Sequence, residues 1–153
     1  MATMSTASSN GELIASYDRS VKIMSISSPL AREWAYSINF DTYVSIDLDA
    51  QGWITNIDLL TKPRLTDQLT IPDSATPGAV QWVIPPAAEC FVATPIMVET
   101  NRTRRIIRIT FGPILDGSAQ TQAIKTSEPV YLQIQQAQLR AILVDFDQQG
   151  LWD

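Results

Sequence analysis

Short runs in which apolar and polar residues alternate recur along most of this chain, and each is cut off by Pro, Gly, Asp or Asn before it grows long. A period of two sends successive side chains to opposite faces of an extended strand, and the breakers set its length. Residues 13–17 and 21–26 form the first pair, with Asp18, Arg19 and Ser20 as the turn. Tyr36, Ile38 and Phe40 alternate with Ser37 and Asn39. Residues 43–48 and 53–60 follow, separated by Asp49-Ala50-Gln51-Gly52, where Gly52 supplies the positive φ that a tight hairpin demands. A second hairpin joins residues 96–100 and 104–111 through Asn101-Arg102-Thr103, and residues 79–84, 130–135 and 137–146 read as further strands. Residues 87–93 fit a strand or a turn of helix, and residues 133–143 are rich in the helix formers Gln, Ala, Leu and Arg. The expectation is an all-β, mainly antiparallel sandwich or half-open barrel of about nine short strands, with room for one short helix.

Two segments fall outside this pattern. Residues 61–77 contain Pro63, Pro72 and Pro77 with little periodicity and read as a long surface excursion. Residues 1–11 are Ser/Thr/Ala-rich and read as a flexible arm ahead of a single domain over residues 12–153. The chain of 153 residues has no His, which excludes His-based triads and His metal sites, and its single Cys90 excludes an internal disulfide. With 16 Asp+Glu against 11 Lys+Arg, the net charge of −5 disfavours nucleic acid as a partner. There is no apolar run of the roughly 20 residues that a helical membrane span needs, and the expected location is the cytoplasm.

One local element occurs twice. Val44 to Trp53 and Ile142 to Leu151 both read as an apolar strand, Asp, an apolar residue, Asp, two residues and Gly: Asp47, Asp49 and Gly52 in the first copy, Asp145, Asp147 and Gly150 in the second. An Asp at a strand end accepts local backbone N–H groups while Gly allows the reversal, so turn chemistry explains the pattern. Calcium is an alternative cofactor, because Asp47, Asp49 and Asp58 fall at positions 1, 3 and 12 of an EF-hand spacing with Gly52 at 6. Against it, a strand enters where a helix should, and Gln51 and Asp58 are poorer ligands than the pattern asks for. A carboxylate-dependent hydrolase pairing Asp47 with Asp145 is a further alternative.

The order Tyr17-Asp18, a strand through Ile23 and Ile26, then Val44-x-Ile46-Asp47-x-Asp49-x-x-Gly52-x-Ile54-x-x-Ile57-x-Leu59-Leu60 resembles a short bacterial β-rich family of unknown function over residues 12–60. That family carries a Tyr-Asp start and a hairpin with a second Gly and a Glu in its closing strand, where this chain has Asn56 and Asp58. The resemblance implies β structure and a bacterial source, and it brings no catalytic residue.

Arg102, Arg104, Arg105 and Arg108 crowd four positive charges around a hairpin tip, either as a patch for an acidic partner or as charges that protect an edge strand. Trp53 and Trp152 follow the two Gly turns and are the tryptophans expected to be partly exposed, as an aromatic contact surface. Cys90 sits among apolar neighbours and reads as an inert thiol. With so thin a catalytic inventory, the expected function is non-enzymatic: recognition of another protein or of a second copy, needing no cofactor. An immunity or inhibitor protein that masks a basic partner is one specific form.

Overall fold

The computed structural model describes residues 2–5, 12–30, 33–41, 43–67, 69–112, 121–127, 130–146 and 148–153. Among them the secondary structure is entirely extended: β1 (Ala2–Ser5), β2 (Ile14–Asp18), β3 (Ile23–Ser27), β4 (Tyr36–Phe40), β5 (Val44–Leu48), β6 (Ile54–Leu59), β7 (Arg64–Leu65), β8 (Thr76–Pro77), β9 (Ala79–Trp82), β10 (Glu89–Val92), β11 (Ile96–Thr100), β12 (Ile106–Phe111), β13 (Thr121–Ser127), β14 (Val130–Gln135) and β15 (Gln138–Asp145). Six strands form one sheet in the order β10-β4-β5-β6-β3-β2, seven form a second in the order β7-β11-β12-β15-β14-β13-β8, and β1 pairs with β9. The protein is therefore all-β, with two open sheets that do not close into a barrel. Most neighbours are antiparallel, while β10 on β4, β7 on β11 and β8 on β13 are parallel. The described residues form more strands than the nine or so expected, and β1, β7, β8 and β13 lie outside the alternating runs.

The alternation does what it promises in the six-stranded sheet. Met24, Ile26, Ile38, Phe40, Ile46, Leu48, Ile57 and Leu59 point inward and are buried. They meet Ile107, Ile109, Phe111, Leu132, Ile134, Ile142 and Val144 of the second sheet in one continuous core. Phe40 and Phe111 touch across the layers at 4.9 Å between ring centroids, in an edge-to-face arrangement. Burying each such side chain is worth about 1.5–3 kcal/mol relative to leaving it exposed, which is the main force holding the layers together.

Residues 133–143, where a short helix is the rival to strands in the sequence, form no helix. That segment is the end of β14, a turn at Gln136 and Ala137 with φ of 51° and 58°, and the start of β15. Two successive residues with positive φ match a primed hairpin turn, whose twist suits the flanking strands. The misleading signal came from burial on both faces: Ile142 and Val144 face the central core, while Ala141 and Leu143 lie beneath Leu69 and Ile71. A strand covered on both sides has no reason to alternate. The cover belongs to residues 61–77, which run over the surface as expected but also hold β7 and β8 and pack a second, smaller cluster with Ile106 and Tyr131.

The end of the sandwich near the last residues is closed by ring packing and backbone bonds. Trp152 packs against Tyr17 with ring centroids 4.6 Å apart and tilted by 46°, and it donates its backbone N–H to the Tyr17 hydroxyl at 2.9 Å. Gly150 and Leu151 donate to the carbonyls of Thr103 and Arg104.

Candidate functional site

Strands β2, β3, β4, β5, β6 and β10 contain Asp18, Asp47, Asp58 and Glu89 and not one Lys or Arg. The ladder registers align their outward residues in two rows across the sheet. One runs Ser16, Ser25, Asp58, Ser45, Asn39, Phe91, and the other Ile14, Ser27, Asn56, Asp47, Ser37, Glu89. Phe91 is 80% exposed at the edge of this face. Its neighbour Cys90 turns inward, as alternation requires.

The carboxylates of this face are held by hydroxyls. Ser37 Oγ donates to Asp47 Oδ1 at 2.7 Å, and Ser25 Oγ donates to Asp58 Oδ1 at 2.7 Å. Asp47 stands opposite Asn56 and Asp58 opposite Ser45, so the two acids are diagonal neighbours on adjacent strands. At the rim, Asp18 accepts from Ser20 Oγ at 2.6 Å and from the Ser20 N–H at 2.8 Å. The Ser20 hydroxyl above all, with the backbone N–H of Ser20, holds the Asp18 carboxyl below its ordinary value. The surface thus presents fixed negative charge and oriented hydroxyls, a chemistry that accepts hydrogen bonds from ammonium and guanidinium groups.

Asp49, the second carboxylate of the repeated element, is not on this face. It is buried, and its Oδ1 accepts the N–H groups of Gln51 and Trp53, both at 2.9 Å, inside the β5–β6 turn. Asp47, Asp49 and Asp58 are therefore not brought together as an EF-hand spacing would require. Among the described residues no group of three or more His, Cys, Asp or Glu side chains could hold a metal ion. In the second copy, Asp147 lies outside the described residues, and Asp145 receives Arg105 Nε at 2.6 Å and Nη2 at 3.3 Å. Asp145 belongs to the seven-stranded sheet and pairs in register with Ile106, while Asp47 faces away from the core on the other sheet. Two layers separate them, and the acid–base pair does not form.

Each arginine of the cluster stands beside a carboxylate. Arg102 pairs with Asp67, Arg104 with Asp153, Arg105 with Asp145 and Arg108 with Glu99. Each guanidinium that made the tip look basic is answered by a carboxylate that sequence distance concealed. Arg104 also leaves the strand, since β12 begins at Ile106 and Arg104 sits in the turn at φ 49°. The tryptophan expectation is reversed as well: Trp53 and Trp152 are buried at 8% and 4% exposure, while Trp34 is 64% exposed. A residue after a Gly turn is exposed only if nothing packs on the turn, and here β9 and Tyr17 do.

The acidic rows and Phe91 were missed by motif reading. Their only sequence signal is the absence of Lys and Arg from six strands, which becomes visible once the strands are assigned to one sheet. No protein-family model matches the chain, and no curated protein aligns with it significantly.

Proposed function

We propose that this protein is a non-enzymatic recognition module that binds a partner protein of basic surface through the outer face of its six-stranded sheet. The observation that carries this reading is the segregation of charge: Asp18, Asp47, Asp58 and Glu89 with no Lys or Arg in the six strands. Exposed Phe91 at the edge of the same face is the type of aromatic side chain that anchors interfaces. A second copy is the less favoured occupant of this face, because acids would then oppose acids. Masking a basic partner, as an inhibitor or immunity protein does, is the role that fits such a surface.

The test is capture of a partner from the native host by the immobilised protein, followed by titration of the purified pair with two variants. Phe91→Ala should weaken binding by about 30-fold, the scale of an anchor residue. Asp47→Asn with Asp58→Asn keeps the acceptors for Ser37 and Ser25 and should slow association about tenfold or more. Unchanged binding by both variants would remove the proposal, as would a captured partner whose contact surface is acidic.

A further inference from the structure

On the inner side of β10 lies a cavity of about 480 Å³. Ile38, Phe40, Val92, Phe111 and Leu139 give it apolar walls, and residues 82–86 contribute to its lining. Two donors interrupt this lining. Trp82 Nε1 and Arg140 Nε are both buried without a hydrogen-bond partner among the described residues, and both residues line the cavity. Buried donors are normally satisfied, so two of them on residues that line one apolar cavity point to an acceptor that the described residues do not supply.

Arg140 arrives there through a bulge. On β14, Gln133 pairs with Ala141 and Ile134 pairs with Leu139, leaving Arg140 as the extra residue of β15. A bulge turns one side chain away from the regular alternation, and bulges recur beside binding sites for that reason. The guanidinium lies beside Gly112, with Nη1 3.8 Å from where a Cβ on that residue would stand, and Thr94, another lining residue, is 3.2 Å from the same point. Arg102, Arg104, Arg105 and Arg108 each have a carboxylate, whereas Arg140 makes no ion pair with a described residue, and among the described residues no Asp or Glu lines the cavity.

We propose that this cavity binds a small apolar monocarboxylate, with the carboxylate held by Arg140 and the Trp82 indole N–H and the apolar body packed among Ile38, Phe40, Val92, Phe111 and Leu139. The volume falls within the range of small-molecule pockets, and a planar carboxylate matches the fork of one guanidinium. A phosphate would bring more charge than one arginine in an apolar setting answers. The site is independent of the acidic outer face, because Cys90 and Phe91 send their side chains to opposite sides of β10.

Octanoate and 3-phenylpropionate, each against its methyl ester, test the two kinds of apolar body. At least one acid should shift the Trp82 indole N–H resonance, slow the reaction of Cys90 with a disulfide reagent, and bind at least tenfold more tightly than its ester. Arg140→Gln should reduce that acid-over-ester preference to under threefold, and Arg140→Lys should restore part of it. Should Arg140→Gln fail to fold, the acid-over-ester ratio of the unaltered protein decides alone. Silence of the Trp82 resonance with both acids at millimolar concentration, or equal binding of acid and ester, would overturn the proposal.

Discussion

Gly52 adopts φ 92°, and a Cβ built there would stand 2.2 Å from the carbonyl oxygen of Trp82. The close approach is used: the Trp82 N–H donates to the Gly52 carbonyl at 2.8 Å, fastening β9 to the β5–β6 turn. Gly52→Ala therefore meets two penalties, a left-handed backbone worth about 1–3 kcal/mol and a clash with main chain that cannot swing aside. Chemical denaturation should show a loss at or above the upper end of that range, with β9 amides exchanging faster. Gly150 has the same place in the repeated element and φ 72°, yet its neighbour is the carboxylate of Asp153, so the two copies share turn chemistry without sharing a role. The turn glycine was legible from its spacing, whereas the contact that makes it irreplaceable comes from a strand about thirty residues further on.

Among the elements, β15 and the excursion over residues 61–77 are the pair whose character depends on each other. Leu69 is buried against Ala141 and Leu143 on the outward side of β15. Leu69→Ala should cost about 2–5 kcal/mol if the cavity does not collapse. Its signature should be local: hydrogen exchange accelerates along residues 61–77 and on β7 and β8 before the central sheet responds. Uniform acceleration across both sheets would show that the excursion is an integral part of the main core. The helix that sequence reading allowed over residues 133–143 failed for the same reason. Half-buried strands announce themselves by alternation, and a strand buried on both faces has lost that mark. Strands β4, β5 and β6, each with one wet face, were readable almost residue by residue.

Within the strands of the two large sheets, charge separates by layer. The six-stranded sheet carries Asp18, Asp47, Asp58 and Glu89 alone, while the strands of the seven-stranded sheet carry Arg64, Arg108, Lys125 and Arg140 with Glu99 and Asp145. If the acidic face is the docking surface, association with a basic partner should slow steeply between low salt and about 0.5 M salt, while dissociation changes little. Stopped-flow measurement at several ionic strengths checks this, and salt-independent association would assign binding to another face. The candidate site shows how far a one-dimensional reading reaches. Periodicity and breakers determined an all-β chain, and composition determined that it holds no His-based chemistry, because those properties are read from the residues themselves and their neighbours in sequence. Which Arg finds a carboxylate, which Trp is covered, and whether Asp47 meets Asp49 or Asp145 were decided only by tertiary structure. These are contacts between strands far apart along the chain, and strand order, set by how the sheets stack, is what brings them together or holds them apart.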